Sequence, residues 1–245
     1  MKRPASESST AWCDERLRSA DEDLALAVLF TPSGQREPVR ALAAIYIELE
    51  RIIIGSRDPN IARIKIAWWR EELGRLASAR AEHPATRLFA AHTATIPTGA
   101  LADLFTGAEL RLLAGPANDL AAATREAEHG GEPLGRLLAG LTGEDPAWSR
   151  PLGRAIGLTR CLGSGLSQAD HEKIIARIRE ILQRHVPARY DPGFHPALRV
   201  LTALAWHHAK HAPSTASGRT QSQRRRVFIA WRAARGHLPS TISRA

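Results

Sequence analysis

Apolar residues recur along this chain three and four positions apart, and almost nowhere do they alternate as a strand would require. The pattern predicts a helix over about residues 20–30, stopping before Pro32. Pro38 is placed to open a second helix, running through Val39, Leu42, Tyr46, Leu49 and Ile53 until Gly55, Asp58 and Pro59 break it. A third, over about residues 60–81, carries Ile61, Ile64 and Trp68 on one stripe and Trp69, Leu73 and Leu76 on another. Apolar positions that wide around a helix predict burial between two neighbours. His83-Pro84 ends it, and a short helix follows to about residue 95. Thr98 is placed to cap the next, with Leu101, Leu104, Phe105, Ala108 and Leu112 inward. Asn118-Asp119 starts another, which Gly130-Gly131 interrupts and Leu134, Leu137 and Leu138 resume. Later helices are expected over about 148–162, 170–185 and 196–210. Residues 1–18 are expected to be disordered, 213–221 to form a flexible loop and 222–236 a basic terminal helix. No repeat of solenoid period occurs. The expectation is one all-α domain over residues 1–245.

Composition agrees and removes several functions. A chain of 245 residues, 44% hydrophobic, can bury a sizeable core, and only seven residues are Phe or Tyr. Two cysteines, Cys13 and Cys161, with no C-x-x-C pair, exclude a disulfide framework and a thiolate zinc site; this usage suits a reducing cytoplasm. Cys161 falls in an apolar helix and is expected in the core. No leader-like apolar region and no window of 18 apolar residues is present, so no membrane span is expected. Hydrolase, NTPase and dinucleotide-binding motifs are absent.

The net charge of +9 is unevenly placed. From His171 onward there are 14 Lys/Arg against three acids, whereas the first 170 residues are nearly neutral. The last predicted helix concentrates this excess: Arg224, Arg225, Arg226, Arg232 and Arg235 surround Val227, Phe228, Ile229 and Trp231. Such a helix can lie on an anionic lipid surface at the inner face of a membrane. In the other arrangement Phe228 and Trp231 dock on the bundle and the arginines face water. A nucleic-acid partner is disfavoured, because no recognition motif accompanies the charge. His207 and His211 have zinc-compatible i, i+4 spacing, but no third ligand is identifiable, so solvent-facing histidines are expected.

Four stretches, in order, carry a family resemblance: Leu29-Phe30-Thr31-Pro32, Ala41 to Ile52, Ile66 to Leu73 with Trp68-Trp69-Arg70, and Gly107 to Leu112. Ala155-Ile156-Gly157-Leu158-Thr159 follows. Together they resemble the squalene/phytoene synthase family over about residues 20–162. Within it they most resemble the branch that includes complex I assembly factor 6-like proteins. The resemblance implies the all-α isoprenoid-synthase bundle, shortened at its C-terminal end, with a central cavity for prenyl chains.

The resemblance also implies a chemistry. Ionising an allylic diphosphate calls for divalent cations on the leaving group, and Mg²⁺ prefers carboxylate oxygens. Carboxylates at i and i+4 share a helical face, and active family members carry such a D-x-x-x-D on each of two helices. Here the first falls on Glu50 and Ile54, the second on Ser164 and Gln168, and Arg111 replaces an acid in the G-x-E-x-D-L segment. Glu50 is therefore the one candidate metal ligand, and Glu50 and Glu109 the candidate catalytic acids if a rearranged Mg²⁺ site exists. Glu48 and Glu50 lie two apart, about 200° around a helix, and are otherwise expected as ion-paired acids beside Arg51 and Arg57. The sequence thus predicts a non-catalytic isoprenoid-binding or assembly protein needing no cofactor, with an isoprenoid, an anionic lipid or a protein of a membrane complex as partner. The alternative is a prenyltransferase using Mg²⁺.

Overall fold

The computed structural model describes residues 5–92, 98–141, 146–162, 165–186, 194–211, 223–239 and 242. Among these residues the chain is helical throughout, with no strand. In chain order the helices are α1 (Ala5–Ala20), α2 (Glu22–Leu29), α3 (Ser33–Gly55), α4 (Pro59–Ala77), α5 (Pro84–Ala90) and α6 (Thr98–Ala114). They continue with α7 (Leu120–Glu126), α8 (Glu132–Gly140), α9 (Ser149–Cys161), α10 (Gln168–His185), α11 (Pro196–His211) and α12 (Gln223–Ala234). The core is continuous, centred on α3, whose Val39, Leu42, Ile45, Tyr46 and Leu49 are buried, and on α11, buried over most of its circumference.

Helix starts follow from side-chain capping of N–H groups that the first turn leaves unpaired. Asp21 accepts from the Leu24 N–H at 2.8 Å, Asp119 from Ala122 at 2.6 Å and Ser167 from Asp170 at 3.1 Å. Two starts use His-Pro: His83 Nδ1 accepts from Ala85 at 3.2 Å, and His195 Nδ1 from Ala197 at 3.1 Å, with proline in the first turn. An imidazole in this role must stay unprotonated at Nδ1. Burial, with nearby arginines, pushes both histidines down to about 4.

Three sequence expectations need correction. Residues 5–18 belong to α1, which packs Ser9, Cys13 and Leu17 inward. Pro38 lies inside α3 and does not open it; the helix starts at Ser33, and the proline forgoes one backbone hydrogen bond. Gly130-Gly131 does not interrupt the helix: residues 127–131 form one π-helical turn that joins α7 to α8. The glycine there serves close packing, since a Cβ on Gly131 would lie 2.3 Å from the Gly153 carbonyl oxygen of α9. The loop expected at 213–221 lies outside the described residues.

Candidate functional site

A cleft of about 1140 Å³ opens between α1, α3 and α4, with Arg160 of α9 at its base. One wall is apolar. Ile47, Ile52 and Ile54 come from α3, and Ile64, Trp68 and Trp69 from α4. The hydrophobic stripes of α4 expected to lie between two neighbours divide differently: Trp69 is buried, Trp68 and Ile64 stay exposed along the rim, and Ile61 is exposed without lining the cleft. The two tryptophans meet edge to face at 5.5 Å, and the His83 ring lies 4.5 Å from that of Trp69.

His83 is held there by Glu72, a fully buried carboxylate on α4. It accepts from the backbone N–H groups of Glu82 and His83, each at 2.8 Å, from the Thr86 hydroxyl and from Arg75. Burial opposes its ionisation, but these donors outweigh it and hold the carboxyl below its usual range. The neutral His83 ring therefore extends the aromatic wall without adding charge.

The floor is a closed charge network. Arg111 of α6, 5% exposed, donates from Nη1 and Nη2 to the two oxygens of Glu50 at 2.5 and 2.9 Å. Its Nη2 also reaches Glu126 at 2.9 Å. Tyr46, one turn before Glu50, is fully buried beside the same carboxylate and helps to hold it ionised. Arg160 lies over the Tyr46 ring at 4.7 Å and bonds to Asp21. Burial alone would raise the pKa of Glu50; Arg111, then Arg160 and Tyr46, reverse this and keep it ionised well below the ordinary range. Space for Arg111 comes from Gly130, where a Cβ would fall 2.8 Å from Nη1.

These contacts place each predicted residue. Glu50 lies in the cleft, paired with Arg111 and not with Arg51 or Arg57. Glu48 pairs with Arg16 at 2.8 Å and Arg51 at 3.5 Å at the rim. Glu109 does not join Glu50: it takes a bidentate pair with Arg70 on the outer side of α6, both bonds 2.8 Å. Ile54 stands 78% exposed at the mouth, Gln168 opens α10, and Ser164 lies outside the described residues. His207 is buried, against the expectation of a solvent-facing pair, and its ring meets that of His211 at 4.7 Å. No group of three His, Cys, Asp or Glu able to hold a metal ion occurs among the described residues.

Sequence reasoning flagged Arg111 and Glu50 separately but missed their pairing and the parts of Glu126, Tyr46, Asp21 and Arg160. The available signal was Arg160 itself, a charged residue beside Ile156, Leu158 and Cys161 in an otherwise buried stretch of α9.

The all-helical bundle that carries this cleft has the isoprenoid-synthase fold. The chain belongs to the squalene/phytoene synthase family, which its sequence matches over residues 17–240. Among solved structures it resembles a dehydrosqualene synthase in complex with ligand, at 14% identity and TM-score 0.72, covering 93% of this chain and 96% of that one. It also resembles the squalene synthase HpnC from Alicyclobacillus acidocaldarius, at 15% identity and TM-score 0.58, covering 91% and 95%. At these identities the likeness shows the fold. No curated protein sequence matches.

Proposed function

We propose that this chain is a non-catalytic member of the family, which holds an isoprenoid chain in the cleft and does not ionise a diphosphate. The observation that carries this reading is the bidentate Arg111–Glu50 pair. A divalent cation on Glu50 would have to displace a buried guanidinium or sit against it, and like charges at contact in low dielectric repel strongly. The donor set does not fit Mg²⁺. The cleft retains the apolar wall of Ile47, Ile52, Ile64, Trp68 and Trp69, which suits a branched hydrocarbon.

Farnesyl and geranylgeranyl diphosphate incubated with the protein and Mg²⁺ should release no diphosphate, while farnesol should quench Trp68 and Trp69 fluorescence. Metal-dependent release that Glu50→Gln abolishes would overturn the reading and establish the prenyltransferase alternative. Absence of quenching would remove the isoprenoid. A second reading, an assembly or scaffold role of the kind implied by the assembly-factor-like motifs, draws support from Leu110 and Leu113, 43% and 65% exposed on α6. A protein of a membrane complex could cover such surface. No described helix is long and apolar enough to cross a membrane. A cytoplasmic position at the inner face of a membrane is part of the proposal.

A further inference from the structure

Helix α12 was expected either to dock on the bundle through Phe228 and Trp231 or to turn them outward, and the structure takes the second course. Its buried positions are Ala230 and Ala233, small residues that bring the helix against α11. Phe228 is 54% exposed, Trp231 39% and Val227 37%. The two aromatic rings stack on each other, centroids 5.9 Å apart, and not on the core.

The arginines divide in the same way. Arg226 turns inward and bonds to Glu22 and Asp23 of α2, the latter at 2.5 Å, so it fastens α12 to the bundle. Among the five arginines of this helix region it is the one removed from the set expected to contact an anionic surface. Arg224, Arg225, Arg232 and Arg235 are exposed. Arg235 lies over the Trp231 ring at 4.2 Å and Arg232 over Phe228 at 5.9 Å, while Arg225 meets His211 at 3.0 Å. No Asp or Glu occurs from residue 192 to the end of the chain. The acids that face α12 from α2 are Glu22 and Asp23; Arg226 takes both, and His208 also bonds to Asp23.

One helical face thus carries Val227, Phe228 and Trp231 between four arginines whose charge no carboxylate balances among the described residues. We infer that α12 is a docking surface for an anionic lipid bilayer, with the aromatic pair inserted at the headgroup boundary and the four guanidiniums on lipid phosphates. Charge complementarity selects this occupant. A protein partner covering the same face would need a dense acidic rim around an apolar patch, whereas an anionic bilayer offers both in any orientation. Guanidiniums stacked on aromatic faces keep their N–H edges free for phosphate oxygens, so the stacking and the lipid contact are compatible. The inference does not depend on what the cleft holds.

The test is flotation of the purified full chain with vesicles that contain no isoprenoid, either phosphatidylcholine alone or with part of it replaced by phosphatidylglycerol. Binding should be confined to the anionic vesicles and should weaken as salt is raised. Arg224→Gln, Arg225→Gln, Arg232→Gln and Arg235→Gln combined should reduce it roughly 600-fold, at about fivefold per arginine. Phe228→Ala with Trp231→Ala should reduce it at least about tenfold. Circular dichroism confirms that each variant keeps the wild-type helical content. Equal binding to neutral vesicles, binding indifferent to both variants, or displacement by duplex DNA at matched phosphate would overturn the inference.

Discussion

Arginine occupies two regions of this protein under opposite conditions. At the cleft floor Arg111 is buried and Arg160 half-buried, and three carboxylates, Glu50, Glu126 and Asp21, surround them. On α12 the guanidiniums of Arg224, Arg225, Arg232 and Arg235 stand in solvent, with aromatic rings and a histidine as neighbours. The same side chain closes a site in the first region and leaves one open in the second. The difference lies in the carboxylates. A buried guanidinium is tolerable only when paired, so the floor spends its charge internally and presents little to a ligand. An exposed one costs almost nothing to leave unpaired and keeps its full charge for a partner.

Cutting the floor pair should give the largest effect. Arg111→Met leaves Glu50 and Glu126 without their guanidinium and should lower unfolding free energy by about 3–5 kcal/mol, as measured by urea denaturation. Adding Glu50→Met removes the stranded charge and should recover part of that loss, because a buried pair replaced by apolar side chains is often neutral. If Arg111→Met were as stable as wild type, the floor would not be the closed network described. The double variant also keeps the cleft apolar, so isoprenoid binding should survive in it.

The two regions were unequally legible in the sequence. The helices around the floor follow from apolar spacing, and α3, α9 and α10 lie near where Leu42, Ile156 and Ile174 place them. Helix α1 was missed because, among its described side chains, the buried ones are Ser9, Cys13 and Leu17, one per turn in a polar segment that reads as disordered. The π turn at 127–131 was read as a break because glycine weakens helices; packing against α9 overrides that propensity. The Arg111–Glu50 pair joins residues 61 apart, and no local pattern encodes which buried acid a buried arginine will meet. The α12 face was legible, because its arginines and aromatics are neighbours in one helix. What sequence left open there was which side the aromatics take, and the alanines decide it.

Acid should separate the regions further. His83 and His195 cap helices as neutral rings, with folded pKa values near 4 against 6.5 for the free side chain. Between pH 6.5 and 4 the unfolded chain binds protons that the folded chain refuses, so stability falls as pH falls through that window. Fully buried His195 contributes on the order of 3 kcal/mol of this loss. Glu50, with its folded pKa depressed, adds a further loss below the ordinary carboxyl range. Urea midpoints between pH 7 and 4.5 should slope accordingly, and His195→Asn, which keeps a capping oxygen but cannot titrate, should flatten the slope. A flat wild-type curve would contradict the neutral caps. The α12 arginines keep their charge across this range, and protonation of His211 beside Arg225 can only add to it, so binding to anionic vesicles should not weaken with acid while the chain stays folded.

The smallest effect on stability makes the most direct test of the contrast. Arg224→Gln and Arg235→Gln, made singly, should change unfolding free energy by no more than about 0.5 kcal/mol, because each removes an exposed charge with no carboxylate partner. Each should still weaken vesicle binding about fivefold. Arg226→Gln should do the reverse: it cuts the bonds to Glu22 and Asp23, costs about 1–2 kcal/mol of stability, and affects lipid binding only by loosening α12. Denaturation and flotation on the same three variants separate the two roles. If Arg235→Gln destabilised the fold as much as Arg226→Gln, its charge would be serving the bundle. The division between arginines that hold the protein together and arginines that reach outside it would then fail at α12.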